Sequence, residues 1–349
     1  MRYPAATVET SVALATFDGA RWLRSLLDSI AEQEVLPDEL VVQDDGSTDG
    51  TVDLLEAFAD DAPFEVSIEV NDRRRGSTDN FAAAIGRCRG RYIALADQDD
   101  VWYPAKLARL VGELQSDPTV TMAFSDADLI GEDGRHLGRR LWDTRLVGRT
   151  LRRRAVVAEE LFAKRALTTG CTMVLRRRAV AAALPFPPEL AAPDAPMRHD
   201  RWLSLVSAAV GTVRALPEPL LGFRVHPQQE TGVLMGAQLG SAFGRSGASA
   251  VTGRPDAVAP AHLARAAQLE AAADRVDDLG AFEEAATLRT VADHHRLRAH
   301  TGDHFTDRVQ SIVSGFRSGA YGRDRFGMAA VAGDLARAVR QLTVRENGT

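Results

Sequence analysis

The chain has 349 residues, of which 45% are hydrophobic and 26% charged, and its 42 Lys and Arg against 48 Asp and Glu give a net charge of −6. The hydrophobic share excludes a disordered protein, and the acidic balance argues against a nucleic-acid binder. Cys88 and Cys171 are too few and too far apart for a disulfide framework or a CxxC zinc site, which suits a reducing compartment. Because no apolar run approaches the roughly 18 residues of a spanning helix, and Glu9 interrupts the run that a signal peptide needs, we expect a cytoplasmic protein.

The first 130 residues alternate short apolar runs with helical patterns, which is typical of βα units and a largely parallel sheet. Apolar residues at helical spacing mark the helices. We predict strands at Ser11–Ala15, Leu40–Gln43, Phe64–Val70, Tyr92–Ala96 and Val120–Ser125. We predict helices at Ala20–Gln33, Val52–Phe58, Asn80–Cys88 and Pro104–Gln115, the last with Pro104 at its first position.

The alternation weakens after Asp126, where a connection rich in Gly and Arg (131–154) begins. Five prolines between Pro185 and Pro196 exclude a regular helix in that stretch. The remaining predicted elements are a helix at Ala155–Arg165, a strand at Cys171–Leu175, a helix at His199–Val210 and a strand at Leu220–Val225.

The composition changes between Gly236 and Pro260, where Gly, Ser and Ala dominate and large apolar residues are few. We interpret this stretch as a flexible linker and a domain boundary. The sequence therefore predicts an α/β domain at 1–235, a linker at 236–260 and a helical region, rich in Ala and Arg, at 261–349.

Acidic residues follow three of the predicted strands, as Asp44-Asp45, as Asp97 with Asp99-Asp100, and as Asp126 with Asp128. A single acidic strand end is usually a helix cap or a turn residue. Three that meet at one edge of a sheet repel one another unless a cation or a donor-rich ligand lies between them. The pattern therefore favours a hard divalent ion, Mg²⁺ or Mn²⁺, which takes oxygen ligands and bridges to phosphates.

Three segments in this order and spacing resemble the inverting glycosyltransferases of family 2, which have the GT-A fold. They read SVALATFDGARWLRSLLDSI, ELVVQDDGSTDGT and RYIALADQDDVWYPAKL, and the resemblance extends over Thr10–Gly232. DQDDVW, SDADLIGEDG and FRVHPQQETG further resemble the branch that contains bacterial rhamnosyltransferases. The resemblance implies a nucleotide-sugar donor, linked to UDP or dTDP, and a divalent metal cofactor.

The resemblance also implies where the nucleotide binds. The segment along the base corresponds to Thr16, Phe17 and Asp18, where the family usually has Tyr-Asn in place of Phe-Asp. Asp45 corresponds to the acceptor of a hydrogen bond from the pyrimidine base, and a carboxylate is a strong acceptor for the N3–H of uracil or thymine. A weaker N…G…N element consists of Asn71, Gly76 and Asn80.

The resemblance assigns the chemistry to later residues. Asp97 and Asp99 form the DxD element, with Asp99 in the position that coordinates the metal beside the diphosphate. Asp200 corresponds to the base that deprotonates the acceptor hydroxyl, although its spacing alone fits a helix N-cap equally well. His226 either contacts the diphosphate, joins the metal, or is a structural loop residue. Thr169, Gly170 and Cys171 fall on the acceptor side, with Cys171 a small buried residue without chemistry.

The last 42 residues differ in charge from the rest of the chain. Residues 308–349 contain seven Arg and three acids among scattered aromatic residues, a composition that suits either an anionic membrane surface or a helix packed on the catalytic domain. Four histidines, His294, His295, His300 and His304, offer a zinc site only if carboxylates support them, and a solvated helix is the simpler interpretation.

The sequence thus predicts an inverting, metal-dependent glycosyltransferase that moves a sugar, with L-rhamnose a candidate, to a glycan or lipid-linked glycan of the cell envelope. It predicts a cytoplasmic protein, with peripheral membrane contact open at the basic end. One alternative is a nucleotidyltransferase or NAD-dependent enzyme, which would need a GxGxxG or P-loop after the first strand. The other is a non-catalytic nucleotide-sugar or carbohydrate-binding module on the same fold, which we would expect to lack one of the acids.

Overall fold

The computed structural model of the chain describes residues 9–144, 155–156, 168–191, 197–229 and 255–299. Strands and helices alternate through the first part of the chain, as the sequence predicts. The strands are β1 (Thr10–Thr16), β2 (Glu39–Asp44), β3 (Glu65–Val70), β4 (Tyr92–Asp97), β5 (Val101–Trp102), β6 (Val120–Ile130) and β7 (His136–Arg140). The helices are α1 (Ala20–Ala31), α2 (Thr51–Asp61), α3 (Ser77–Arg87) and α4 (Lys106–Ser116).

The second part adds three strands and four helices. The strands are β8 (Ala155–Val156), β9 (Met173–Arg176) and β10 (Thr212–Arg224). The helices are α5 (Arg177–Ala183), α6 (His199–Ala209), α7 (Pro255–Asp278) and α8 (Phe282–Ala299). Single turns of 3₁₀ helix lie at Leu141–Thr144, Gly170–Thr172 and Pro188–Leu190.

The strands form one mixed sheet in the order β3-β2-β1-β4-β9-β6-β10-β5, with β7 beside β6 and β8 beside β10. The first four are parallel neighbours, and β9 is antiparallel to both β4 and β6. Buried strands β1, β2 and β4 read as continuous apolar runs because helices cover both faces of a parallel sheet. The predicted α/β class, a mixed sheet flanked by helices with helices in the C-terminal region, is confirmed.

Several predicted boundaries were wrong. Helix α4 begins at Lys106, because Tyr103–Ala105 form a turn in which the Lys106 N–H donates to the Tyr103 carbonyl at 3.0 Å. The strand predicted from Cys171 begins at Met173, because Thr172 closes a 3₁₀ turn on the Thr169 carbonyl at 3.0 Å. Strand β7 lies within the predicted loop 131–154.

Two further differences concern longer segments. The described part of the predicted helix Ala155–Arg165 is strand β8, and 157–167 lie outside the described residues. Helix α7 begins at Pro255, inside the predicted linker, since proline suits the first position of a helix and alanines follow. The rest of that linker, 236–254, lies outside the described residues.

The last two described helices form an antiparallel hairpin that turns at Gly280 (φ +82°). Small and branched apolar side chains are buried between them, which allows the helix axes to approach closely: Ala266, Leu269, Ala273, Val276, Ala285, Leu288 and Ala292. Across the hairpin, Arg289 pairs with Asp274 at 3.0 Å and with Asp277 at 2.7 Å. Among the described helices, none combines the length and the apolar composition that crossing a membrane requires.

Candidate active site at the carboxyl ends of the parallel strands

The register of the parallel strands brings together the loops that follow β1, β2 and β4. Ala15 of β1 lies opposite both Gln43 of β2 and Asp97 of β4, so these three strands end at the same edge of the sheet. In open α/β sheets ligands bind outside the carboxyl ends of the strands. The loops that follow residues 16, 44 and 97 therefore surround one site.

Asp44 builds the first of these loops. Its carboxylate accepts hydrogen bonds from the Gly46 and Ser47 N–H groups, at 3.0 and 2.7 Å, and from the Thr16 hydroxyl at 2.6 Å. Gly46 (φ +82°) has a backbone conformation that favours glycine, which lets the chain turn so tightly. The Thr16 side chain, predicted to contact the nucleotide, thus ties β1 to β2, and Asp44 is a turn residue.

The loop that carries Phe17 is fastened by side chains of both acidic motifs. Its four consecutive N–H donors each find a side-chain acceptor: Phe17 on Gln98 (2.9 Å), Asp18 on Ser47 (2.9 Å), Gly19 on Thr51 (2.8 Å) and Ala20 on Asp49 (3.0 Å). Asp18, at φ +43°, returns a carboxylate to the Thr48 N–H at 2.9 Å. The Arg74 guanidinium lies 3.7 Å from the centre of the Phe17 ring. Phe17 is therefore a fixed aromatic surface rather than a mobile one.

Asp45 is held by three donors of the following loop. Its Oδ1 accepts from the Asn71 amide at 2.8 Å and from the Arg75 N–H at 2.7 Å, and its Oδ2 accepts from the Gly76 N–H at 2.8 Å. Asn80 is buried and donates to the carbonyls of Thr16 (3.3 Å) and Gln43 (2.7 Å) while accepting from Asn71 at 2.9 Å. The N…G…N element thus positions Asp45, and Asn80 supports the site from behind.

Four carboxylates crowd the end of β4. Burial and the neighbouring charges of Asp99 and Asp200 raise the pKa of Asp97 to about 7. Burial raises the pKa of Asp100 well above its ordinary value, with Asp99 and Asp97 adding to the rise. Asp100 accepts from the Arg224 N–H at 3.0 Å through Oδ1, while its buried Oδ2 has no hydrogen-bond partner among the described residues. The site is therefore short of positive charge.

Two buried cations offset part of this charge. The Lys106 ammonium is fully buried, donates to the Cys171 carbonyl at 2.6 Å and lies 3.4 Å from the Trp102 ring centre. Burial lowers its pKa to about 7, against the attraction of Asp100 and Asp97. The Arg224 guanidinium donates to the Asp99 carbonyl at 2.6 Å. Because both bind main-chain oxygens, Arg224 fixes the acidic loop and Lys106 fixes the neighbouring turn at Cys171.

His226 joins the same cluster. Its Nε2 lies 2.7 Å from Asp99 Oδ2, and its ring stacks on Trp22 with the ring centres 4.1 Å apart. The Gln228 N–H donates to His226 Nδ1 at 3.3 Å, which assigns the proton to Nε2 and makes it the donor to Asp99. The structure thus brings His226 to the predicted metal ligand.

The donor set fits a hard divalent cation. Asp97 and Asp99 supply oxygens beside the His226 imidazole, and like charges at this density are stabilised by a cation. Asp97, Asp100 and Cys171 also place one potential ligand atom each within 4.8 Å of one another. Burial keeps the pKa of the Cys171 thiol well above its usual range, and the Lys106 ammonium lies against that side. The carboxylates of Asp97 and Asp99 are thus the oxygens at this strand end that suit a hard cation, with Asp99 oriented by His226.

Asp200 reaches the cluster from a different element. It is the second residue of α6, and the helix cap is Arg198, so Asp200 is not the N-cap. A Cβ on Gly170 would lie 3.2 Å from His199 Nε2 and 3.8 Å from Asp200 Cβ, which shows how closely the 3₁₀ turn packs against the start of α6. His199 stacks on Phe81 with the ring centres 4.2 Å apart. The charge of Asp200 contributes to the raised pKa of Asp97, so the two carboxylates share one site.

The third acidic pair does not join them. Asp126 and Asp128 lie inside β6 rather than after it, contrary to the prediction. Asp126 accepts from the Trp142 N–H at 3.0 Å, and Asp128 accepts from the Tyr103 hydroxyl at 3.1 Å. Both carboxylates thus have structural partners away from the β4 cluster.

Comparison with known proteins identifies the fold and the family. Residues 11–182 match the sequence model of the family Glycosyl transferase family 2. These residues form a glycosyltransferase family 2 domain. It contains the Asp45 and Asp97–Asp100 motifs, whereas Asp200, Arg224 and His226 follow it in the chain.

Relatives and solved structures agree with this assignment. An uncharacterized protein of Mycobacterium tuberculosis, Rv1520, is 28% identical over 218 residues, which are 62% of this chain and 58% of that protein. The dTDP-rhamnosyl transferase RfbG of Shigella flexneri is 33% identical over 103 residues, 28% of this chain and 35% of that protein. This chain thus matches less than two thirds of the length of these relatives.

A solved structure extends the comparison to most of the chain. The S. aureus TarS fragment 1–349 in complex with UDP-GlcNAc superimposes with a TM-score of 0.58 at 16% identity, covering 90% of this chain and 93% of that one. This likeness shows the fold alone. The predicted GT-A fold is confirmed.

The structure adds residues that the sequence alone did not single out. Gln98, between the two acids of the DxD element, pairs with both the N–H and the carbonyl of Phe17 at 2.9 Å, and a Cβ on Gly19 would collide with it at 2.3 Å. Lys106 was visible in the sequence as one of only two lysines in a chain with 40 arginines. Arg224 was visible in the FRVHPQQETG motif. No sequence signal marks Asp100 apart from its neighbours.

The raised pKa of Asp97 predicts a change in stability with pH when no metal is bound. A carboxyl whose folded pKa of about 7 exceeds its ordinary 3.8 contributes stability below pH 4, and that contribution is lost as the pH rises towards 7. We expect Asp97→Asn to unfold a few degrees above the wild type at pH 7.5 in EDTA, and to have a flatter profile between pH 4 and 7. Thermal unfolding across this pH range measures the difference.

Glu56→Gln is the matched control, because it removes the same charge at an exposed position of α2. Its melting curve is expected to follow that of the wild type. Parallel pH profiles for Asp97→Asn and the wild type would contradict the assignment of the burial cost to Asp97.

Proposed function

We propose that this chain is an inverting, divalent-metal-dependent glycosyltransferase that moves a sugar from a nucleoside diphosphate to a hydroxyl of a cell-envelope glycan or lipid-linked glycan. The observation that carries the proposal is the packing of the Gly170 turn against both Asp200 and Leu95 of β4, where a Cβ on Gly170 would lie 3.8 Å from each, together with the effect of the Asp200 charge on the pKa of Asp97. A base on one side of the reacting carbon and a metal ligand set for the leaving group on the other are what an inverting displacement requires.

The nucleotide end of the site supports a pyrimidine donor. The Phe17 ring offers a fixed stacking surface, and Asp45 is held with its carboxylate oriented by Asn71 and Gly76. Oδ2 of Asp45 accepts one hydrogen bond among the described residues, and a carboxylate oxygen takes about two. Its second site suits the N3–H of uracil or thymine, which is consistent with a UDP- or dTDP-linked sugar.

The metal end of the site supports departure of the diphosphate. Asp99, with Asp97 at the same strand end, would hold Mn²⁺ or Mg²⁺ while His226 orients the Asp99 carboxylate, and the bound ion would supply charge neutralisation for the leaving nucleoside diphosphate. Arg224 holds the Asp99 carbonyl, and Gln98 connects the loop after β4 to Phe17. The residues that would bind the diphosphate and those that would bind the base are therefore linked by hydrogen bonds. Asp200 takes the proton of the acceptor hydroxyl as that oxygen attacks.

L-rhamnose is the donor sugar that we propose first, on the similarity to RfbG and the DQDDVW and FRVHPQQETG motifs. The second candidate function is a non-catalytic nucleotide-sugar-binding module, which the presence of Asp99 and Asp200 in one site disfavours.

We also propose a cytoplasmic location with peripheral membrane contact. The basic stretch 308–349, His300 and His304 lie outside the described residues.

Asp200→Asn tests the base. We expect it to lower kcat for transfer about 10²- to 10⁴-fold, because the amide cannot accept the hydroxyl proton, while donor binding changes little. Initial rates of nucleoside diphosphate release in the presence of acceptor, together with calorimetric titration of the donor, separate the two effects. Asp128→Asn, which removes a carboxylate outside the β4 cluster, is the control and is expected to retain transfer. Transfer by Asp200→Asn at the wild-type rate would exclude Asp200 as the base.

A panel of UDP-, dTDP- and GDP-linked sugars, with and without Mn²⁺, tests donor and metal together. Binding to the folded chain raises its melting temperature, by an amount that grows with the logarithm of the ratio of free ligand to Kd once that ratio exceeds one. We expect a pyrimidine nucleotide sugar to stabilise the wild type in the presence of Mn²⁺, and Asp99→Asn to lose the metal-dependent part of that shift. No stabilisation by any of the donors would contradict the enzyme, whereas stabilisation without turnover on any glycan acceptor would favour the binding module.

A further inference from the structure

One side chain of the C-terminal hairpin contacts the main chain on both sides of the segment that leads to Asp200. Gln268 of α7 is 2% exposed. Its Oε1 accepts from the Met197 N–H at 2.7 Å, and its Nε2 donates to the carbonyls of Met197 at 3.1 Å and Glu189 at 2.7 Å. The carboxamide therefore pairs with Met197 as a neighbouring peptide group would, and binds Glu189 as well.

These contacts fix the start of helix α6. Met197 lies three residues before Asp200, and α6 begins at His199. Two hydrogen bonds to a buried amide define the position of Met197, because each has a short distance and a required direction. The position of Met197 in turn sets where the first turn of α6, and with it the Asp200 carboxylate, meets the Asp97 cluster.

A second residue of α7, Arg275, contacts the end of α5, the loop after it and a ring of α6. Arg275 donates to the Ala182 carbonyl at 2.7 Å and to the Pro185 carbonyl at 3.2 Å, and its guanidinium lies 5.6 Å from the Trp202 ring centre. Trp202 itself donates to the Ala183 carbonyl at 2.9 Å. Helix α7 thus contacts the chain before, at and after the beginning of α6, from one side.

The buried Gln268 amide requires a specific partner for each of its polar atoms, whereas apolar packing does not. A buried amide is costly unless its donors and acceptor are all bonded, and here each of its described partners is a main-chain group. An apolar residue of similar size at position 268 would leave the Met197 N–H and two carbonyls without their partner. The directional hydrogen bonds of Gln268 therefore fix where the main chain of Met197 lies, which apolar packing of α7 does not do.

We propose that Gln268 is a positioning residue for the base Asp200, and that the C-terminal helical hairpin is part of the catalytic machinery rather than a separate module. The inference rests on the proposed function, in which Asp200 accepts the proton of the acceptor hydroxyl. A displacement of the base by about 1 Å is enough to lower the rate of transfer about 10²-fold. Donor binding depends on Phe17, Asp45 and Asp99, none of which Gln268 contacts.

Gln268→Leu, Gln268→Glu and Arg289→Gln test the proposal. The leucine removes all three hydrogen bonds, and the glutamate keeps an acceptor for the Met197 N–H but loses the donor to the two carbonyls. Arg289→Gln is the matched control, because it breaks the ion pairs with Asp274 and Asp277 inside the hairpin without touching the segment before α6. It therefore reports what loosening of the hairpin does by itself.

We expect Gln268→Leu to lower kcat about 10- to 100-fold, with Gln268→Glu between it and the wild type, while the KM for the donor and the Kd for UDP with Mn²⁺ stay within about twofold. Hydrogen exchange measured by mass spectrometry is expected to show faster exchange in the peptide containing 197–203 for Gln268→Leu, and not for Arg289→Gln. Arg289→Gln is expected to lower the melting temperature and keep its kcat.

Two failures have different meanings. A wild-type chain that transfers no sugar from any donor to any acceptor contradicts the proposed function. An active wild type alongside a Gln268→Leu chain with unchanged kcat and unchanged exchange at 197–203 overturns the positioning role alone. A loss of kcat that follows the loss of melting temperature equally in the Gln268 and Arg289 variants also overturns it, and if the leucine chain does not fold, Gln268→Glu gives the same comparison.

Discussion

The repulsion among the carboxylates at the end of β4 is the constraint on which the site depends. Asp97, Asp99 and Asp100 follow one strand, and Asp200 is brought to them by another element. At this separation and degree of burial each added negative charge raises the pKa of its neighbours, so the cluster keeps its charge only where cations compensate. Lys106 and Arg224 compensate part of the negative charge, and a divalent ion would compensate the remainder.

The protein's own cations act mainly through the backbone. Lys106 binds the Cys171 carbonyl and Arg224 binds the Asp99 carbonyl, so neither makes a direct salt bridge with the acids among the described contacts. A buried pair of direct contacts would neutralise the acids and compete with a metal. Arg224 holds the acidic loop and Lys106 the turn beside it, while the negative charge of Asp97 and Asp99 is only partly compensated, so their oxygens stay suited to an incoming ion.

Glutamine side chains also hold main-chain groups in place, but without adding charge. Gln98 pairs with the backbone of Phe17, Gln229 with that of Arg224 and His226, and Gln268 with that of Met197. Each amide offers a donor and an acceptor together, so it can continue the hydrogen bonding of a strand or a loop where no neighbouring strand is available. The main chains of Phe17, His226 and Met197 are thus each held by a neutral amide that adds no charge to the acidic cluster.

Sequence patterns predicted the parallel half of the fold well and the supporting contacts poorly. Strands β1, β2 and β4 were recognisable because each is a short apolar run with an acidic or turn residue at its end, and a local pattern is sufficient for such elements. Asp126 and Asp128 looked the same in sequence, yet β6 continues through them because β10 and β7 pair with it along its length. Pairing between distant strands, like the contacts of Gln98 and Gln268, has no local signature.

The site also shows why a family match at 11–182 is not by itself a complete catalytic unit. The parallel half supplies the nucleotide end through Phe17 and Asp45, and those residues fall within the match. Asp200 and His226 come later, from α6 and from the residues after β10; His226 reaches the same edge because β6 and β10 run in the same direction as β4, with β9 alone antiparallel between β4 and β6. In this chain the second half places Asp200 and His226 towards the β4 cluster, and the contact of Gln268 with Met197 fixes the main chain three residues before Asp200.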